Sequence, residues 1–535
     1  MMQYDLMRSR LRTYLRQVDF MRYELRYTLL RAELSPHDAS FHRLLMARIN
    51  YLLARLTERR NKIQGLLDGT PAGSIEWSKT RIEVEIEISR LAPILDGMTH
   101  AIVQRRLKPS RARGSADADH HMPLNECHPA YADFYRGVEN TVREAFARLA
   151  PCYFGGLRQL PGSPDSLMPL LVVSKEPRFS LVSFGVHESD DPPDDFMEYA
   201  KRVFLLSYLT LPRYSPATLW LSPPVAHETA HFLMHMLRFL LVHMRDPKTH
   251  STRDVQPDDQ SIEKANRWFG RPNRYVELIT SFAKLAESYQ AALSDMVKSS
   301  LTPSSLRGVL AQHKDDLAAC ASKQVVEMVC DIFGVVLAGP AFAFSFLQTA
   351  FVANPAEFAG RRIKFDHPPA LFRISLQMMV LRHLGFADAD KLVGQSLQQF
   401  RKVISPATWE STQHMLPWLD SVSTVIEKVV ADARLWVIPS PAESYGFVAD
   451  QDRRMDELKW RVALHSLADR VLLGKAQDGF GTDCFDLLNA WWLQMLGNDG
   501  RSVGSSLPWM LCLRNRQPQL VWERDSPKLE DNPYA

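Results

Sequence analysis

Pro223-Pro224-Val225-Ala226-His227-Glu228-Thr229-Ala230-His231 contains the pattern His-Glu-x-x-His. On an α-helix, residues four apart lie on one face, one turn above the other. His227 and His231 can therefore put two imidazole nitrogens on one metal ion. Glu228 points to the adjoining side, where it can reach a water at that ion. The two prolines suit a helix start, because the first helical N–H groups have no intrahelical partner. Phe232-Leu233-Met234 continues the helix into a core. The pattern fixes only three positions, so a buried helix with two hydrogen-bonded histidines and a salt-bridged Glu satisfies it too.

Two histidines leave a metal ion short of ligands. His235 lies one turn beyond His231, and His243 two turns further. From His227 to His235 the helix rises roughly 12 Å, so the first three histidines cannot share one ion while the helix stays intact. The longer pattern that bends the chain back needs Gly three residues after the second His and another His three later. Those places hold Met234 and Leu237. His235 is therefore expected beside the site, as an outer partner or a packing residue.

A third ligand is offered by Glu327-Met-Val-Cys-Asp331, inside an otherwise apolar run. Buried carboxylates are costly unless paired or bound to a metal. Glu327 can supply an oxygen, and Asp331 can accept Nδ1–H from a ligand histidine and fix its tautomer. The alternative is that one or both face solvent. A further signal is Asp366-His367-Pro368-Pro369-Ala370-Leu371-Phe372-Arg373-Ile374. The prolines hold His367 in an extended turn, and Arg373 enters a helix, where it can equally be a structural cap.

His-Glu-x-x-His followed by Glu-x-x-x-Asp resembles the gluzincin zinc metallopeptidases. The His-Pro-Pro…Arg-Ile segment after them is most like the HtpX and CAAX-prenyl-protease group. The resemblance covers about 150 residues, Pro223 to Ile374. It implies a zincin-like catalytic domain in which His227, His231 and Glu327 bind Zn²⁺ and Glu228 is the general base. It also brings His367 and Arg373 close to the metal or the substrate carbonyl, to stabilise developing charge, or lets His367 gate the open coordination position. The chain departs from that group in lacking evident transmembrane hairpins. It also carries 95 residues between His231 and Glu327, which implies a helical insertion.

Around this centre, hydrophobic spacing predicts a mainly α fold of α+β type with a small sheet. Leu11, Tyr14, Val18, Met21, Leu25 and Thr28 form a heptad seam. Leu45, Ile49, Leu52, Leu56, Ile63 and Leu66 continue it after a turn at Ser35–Asp38, and a third helix is expected over 75–107. Residues 1–107 thus read as a long helical-hairpin arm. Over residues 1–110 there are 19 Lys and Arg against 12 Asp and Glu, about +7. That charge fits a docking arm for an acidic partner or nucleic acid, or simply a solvated helical face, and no aromatic stacking pattern or nucleic-acid motif supports the docking reading. Residues 108–121 read as a linker. His120-His121 in it carries no metal signal beyond proximity.

Residues 122–440 are expected to hold the catalytic domain, and 441–535 a C-terminal helical and irregular extension. A helix is expected over Tyr131–Leu149. Strands are expected at Leu167–Val173 and Phe179–Val186, paired as a hairpin, and at Thr218–Leu221. Further helices are expected at Val276–Val297, Lys391–Val403, Thr408–Val430, Met455–Leu473 and Phe485–Leu496. Ile332–Ala353 has no charged residue across 22 positions. That length suits a membrane span, but Gly339-Pro340 interrupts it, so two shorter buried helices are expected.

A net charge of +3 implies no global attraction to nucleic acid. Six cysteines without a Cys-x-x-Cys, and no signal-peptide pattern at the start, suit a reducing, cytoplasmic setting. The expectation is a zinc-dependent metalloprotease acting on a protein or peptide, with a homodimer or a further partner able to use the arm. A partner-binding scaffold with a structural or vestigial zinc site stands beside it, as does a membrane-associated protease.

Overall fold

The computed structural model describes residues 15, 18, 19, 22, 53–54, 56–68, 121–123, 137–138, 140–149, 170–174, 180–183, 207–212, 223–232, 234, 274–298, 317–353, 367–368, 370–401, 416–437, 439–446, 456–473, 483–497, 509 and 511–513. These residues are mainly helical. The heptad stretch at 23–52 with its turn, the helix expected at 75–107, the strand expected at 218–221, His235 and His243 lie outside them.

The central element is α2 (Leu317–Ala338), which follows α1 (Arg274–Lys298). From Glu327 to Ala338 every residue of α2 is buried, so burial runs right round the helix. A helix that is apolar nearly all round must be covered on every side. The covering elements are α1, α3 (Pro340–Ala353), α4 (Ala370–Leu384), α7 (Ser423–Leu435) and α10 (Cys484–Gly497). Between them come α5 (Ala387–Arg401), α6 (Leu416–Ser421), α8 (Pro441–Gly446) and α9 (Glu457–Leu472). On α1, Phe282, Leu285, Tyr289 and Leu293 step by three and four and are buried, the stripe of an amphipathic helix laid on a core.

The apolar run after Asp331 divides as its sequence predicts. Gly339 ends α2 with φ of +60°, a conformation that costs glycine nothing. Its N–H bonds to the Val335 carbonyl at 2.8 Å. Pro340 then opens α3, where its missing N–H costs nothing. Among the described residues no helix is long and apolar enough to cross a membrane.

Four short strands form a sheet in the order β1-β2-β4-β3: β1 (His121–Pro123), β2 (Leu170–Ser174), β3 (Ser180–Ser183) and β4 (Ser207–Pro212). The hairpin expected between the second and third is not formed. β4 lies between them, parallel to β2 with Val172 opposite Thr210, and antiparallel to β3 with Leu181 opposite Leu209. The run Tyr208-Leu209-Thr210-Leu211 pairs on both edges, so it takes the inner place that a hairpin would deny it, and Leu209 is buried in the main core. β1 begins at His121, the last residue of the expected linker.

Among the described residues of 1–107, Val18, Leu56, Ile63 and Leu66 are buried. Arg60 Nε donates to Asp19 at 2.7 Å across 41 residues of sequence. At the other end of the chain, Trp509 and Leu513 are buried in the main core, and Asn140 Nδ2 donates to the Leu513 carbonyl at 2.7 Å.

Candidate metal centre

Pro223 and Pro224 start the motif helix as turn residues, and residues 225–232 are helical. Ala226 N donates to the Pro223 carbonyl at 3.0 Å and His227 N to that of Pro224 at 3.0 Å. The prolines therefore accept the first helical bonds without needing to donate. Val225, Ala226, Ala230 and Phe232 anchor the helix in the core, with Phe232 set edge-on to Phe146 at 5.1 Å. This burial fixes the face carrying His227 and His231.

That face meets α2. The two Nε2 atoms are 3.1 Å apart. Glu327 Oε2 is 3.3 Å from His227 Nε2, and Oε1 is 3.4 Å from His231 Nε2. An ion held at zinc–nitrogen and zinc–oxygen distances in a tetrahedron separates neighbouring ligand atoms by about 3.3 Å. The Nε2–Nε2 spacing is close to that edge, and each Nε2 lies near it from a different oxygen of Glu327, Oε2 for His227 and Oε1 for His231. Among the described residues, His227, His231 and Glu327 are the group able to hold a metal ion, their ligand atoms lying within 4.8 Å of one another.

The outward nitrogens are held as well. His227 Nδ1 donates to Asp331 Oδ1 at 3.0 Å, so that once Nε2 gives up its proton its lone pair faces the cluster. His231 Nδ1 is 3.5 Å from Cys330 Sγ. Arg373 grips Asp331 with two bonds, Nε to Oδ2 at 2.6 Å and Nη2 to Oδ1 at 2.7 Å. Its Nη1 lies 3.5 Å from Glu327 Oε2. Beneath the cluster, Phe342 stacks parallel to His227 at 6.3 Å, and Arg373 lies 4.6 Å above the Phe346 ring.

Burial works against charge on every one of these groups, and their partners decide the outcome. For His227, hydrogen bonds with Asp331 and Glu327 overcome burial and push its pKa up to about 10. For His231, burial prevails over the attraction of Glu327, aided by the positive neighbours His227 and Arg373, and its pKa falls to about 4. Burial is overcome at Asp331 by the Arg373 guanidinium, and at Glu327 by His227, His231 and Arg373, so both carboxylates stay ionised below their usual range. Cys330 is the reverse case. Burial, then the nearby Glu327, Asp331 and Glu228 charges, push its thiol well up. It stays a neutral thiol, and a metal ligand would have to be the thiolate. One proton thus shares the space between two Nε2 atoms and a carboxylate oxygen, where a larger cation would satisfy all three.

Glu228 is half-buried beside His227. His367 is partly exposed, its Nε2 3.4 Å from Glu327 Oε2. Arg373 is buried, its donors turned onto the two carboxylates of α2. Of the residues expected at the site, all but His235 lie within the described residues. Cys330, Phe342 and Phe346 were not expected there. Only Cys330 gave a sequence signal, since it sits three positions after Glu327 and so shares its helix face. Comparison with protein-family models, with curated proteins and with solved structures finds no match to this chain.

Proposed function

We propose that the chain is a zinc-dependent metalloprotease of gluzincin type, with a zincin-like domain, a small sheet and a preceding helical arm. The observation that carries the reading is the convergence of His227 Nε2, His231 Nε2 and the Glu327 carboxylate, their ligand atoms within 4.8 Å of one another. Two imidazoles and one carboxylate leave a fourth position for water or substrate, which is the ligand count of a catalytic zinc rather than a structural one. Zinc, when bound, supplies Lewis acidity: it polarises a carbonyl and makes water acidic near neutral pH.

The chain's own residues do the rest. Glu228 takes the proton from the attacking water and returns it to the leaving amine. Asp331 holds His227 in the tautomer that presents Nε2. Arg373, expected to reach the substrate, is better supported as the group that keeps Asp331 and Glu327 ionised and aimed. His367, partly exposed beside Glu327, is left as the side chain for the developing oxyanion or for gating the fourth position. The substrate is a protein or peptide and the setting cytoplasmic.

The test is hydrolysis of a quenched fluorescent peptide library. Glu228→Gln should keep the metal and lose turnover by about a hundredfold or more. Retained turnover would remove Glu228 as base. One observation favours the scaffold alternative: Glu327 already has His227, His231, His367 and Arg373 within 3.5 Å, so the cluster can also stand as a self-satisfied polar core. Chelator-sensitive hydrolysis restored by Zn²⁺ would decide against it.

A further inference from the structure

The two aromatic rings under the metal site belong to α3, and α3 is aimed by the break at Gly339-Pro340. Phe342 and Phe346 are four apart and share the face toward His227 and Arg373. Phe344, on another face, stacks on Trp492 of α10 at 5.4 Å. Close approach of α3 to α2 depends on Gly334, because a Cβ there would sit 2.7 Å from the Phe342 ring.

A helix break inside a core leaves backbone groups without helical partners. Asn489 of α10 takes up one from each side. Its Nδ2 donates to the Ala338 carbonyl at 2.9 Å, the last residue of α2. Its Oδ1 accepts from Ala341 N at 2.8 Å, in the first turn of α3. The second Nδ2 proton goes to the Phe485 carbonyl at 2.9 Å within its own helix. The amide is buried and fully bonded, and its atoms lie 3.4–3.8 Å from where a Cβ on Gly339 would be.

We propose that Asn489 is a positioning residue of the metal centre: it clamps the Gly339-Pro340 break and so sets Phe342 against His227 and Phe346 against Arg373. The C-terminal helix is then part of the site rather than an addition to it. This inference rests on the metal-centre reading of His227, His231 and Glu327, but it has a readout of its own.

The experiment uses the full-length chain. Asn489→Leu keeps the volume and removes all three bonds. Zinc affinity is read by competition with a chromophoric chelator, and the Arg373 Nε–H resonance by NMR, since that group donates to Asp331 while its guanidinium lies over the Phe346 ring. The expected result is a zinc affinity about tenfold weaker, as for lost outer-shell support, and a displaced Arg373 resonance with or without zinc. Phe342→Leu leaves the clamp intact and should weaken zinc similarly, which keeps the test alive should Asn489→Leu fail to fold. A folded Asn489→Leu protein of lowered melting temperature, with wild-type zinc affinity and an unmoved Arg373 resonance, would overturn the proposal. So would a Phe342→Leu protein of wild-type affinity. Should the wild type bind no zinc, the metal-centre reading fails. The Arg373 resonance then still decides the clamp, for it if displaced in Asn489→Leu and against it if unmoved.

Discussion

Two buried ionic clusters lie in the same core, and they are built on opposite plans. The second is centred on Arg148, whose Nη2 donates to Glu443 Oε2 at 2.5 Å and whose Nη1 lies 3.5 Å from Asp483 Oδ2 and bonds to the Leu337 carbonyl at the end of α2. There the cation is a side chain, and the carboxylates around it are tied to backbone. Glu443 accepts from Ser440 N at 2.7 Å while Ser440 Oγ accepts from Glu443 N at 3.1 Å, a capping box at the start of α8. Asp483 caps α10 through Asp486 N at 2.7 Å, and Asp486 accepts from Ala442 N at 3.1 Å. Each of these carboxylates thus has a backbone or Ser440 donor or the Arg148 guanidinium against it. At the candidate metal centre the donors hold the outer atoms, and two imidazole nitrogens and a carboxylate face one another with a single proton among them. Burial and charge are common to both clusters, so neither identifies a site. What sets the first apart is that three potential metal ligands turn toward one point.

The largest effect should come from removing the fixed cations. Arg373→Met strands Asp331 and Glu327, and Arg148→Met strands Glu443 and Asp483. Each should cost about 3–5 kcal/mol of stability in urea denaturation. The contrast is in the rescue: zinc should restore part of the loss in Arg373→Met and none in Arg148→Met. Equal behaviour toward zinc would erase the distinction between the clusters.

Next, Asp331→Asn should weaken zinc about 10- to 100-fold by releasing His227, measured by competition with a chelator. A wild-type affinity would show that Asp331 serves only Arg373.

A smaller effect follows from proton competition. His227, at about 10, holds its proton at neutral pH and must lose it to a metal, whereas His231, at about 4, is already neutral. Binding should release about one proton, and affinity should rise about tenfold per pH unit between pH 5 and 9. Calorimetry in buffers of different ionisation enthalpy measures this. Release of no proton would contradict the arrangement.

The smallest effect belongs to the Arg148 cluster. Burial, then the neighbouring Asp483 charge, raises Asp486 well above its usual range. A carboxyl raised in the folded state contributes fully below its unfolded pKa. It loses that contribution as pH rises through the folded one, because the unfolded chain then releases the proton first. Asp486→Asn should therefore gain stability relative to wild type on going from pH 5 to pH 8. Thermal melts that keep a constant difference would show that Asp486 is not held protonated.

The clustering of His227, His231, Glu327 and Asp331 was legible in the sequence because these residues obey local rules. His227 with His231, and Glu327 with Asp331, are each four apart on a helix, so their spacing alone shows a shared face. Gly339-Pro340 announced the division of the apolar run for the same reason. Arg373 was visible as a residue but not in its role, since the guanidinium answers to α2 from 42 positions away. Asn489, Phe342 and the Arg148 cluster were not legible. An Asn in an apolar helix and a Phe in an apolar run look the same whether they meet the site or the core, and Asn489 reaches its partner across 148 residues. The sheet order failed similarly. Alternation marks a strand but not its neighbour, and β4 took the place between two runs that are closer in sequence.

The central claim is tested most directly by the metal content of the purified full chain, prepared without chelators and measured by mass spectrometry beside His231→Ala. About one zinc per chain in the wild type, absent in the variant, is the predicted result. No zinc in the wild type, before or after reconstitution, would contradict it and leave His227, His231 and Glu327 as a polar core like that of Arg148.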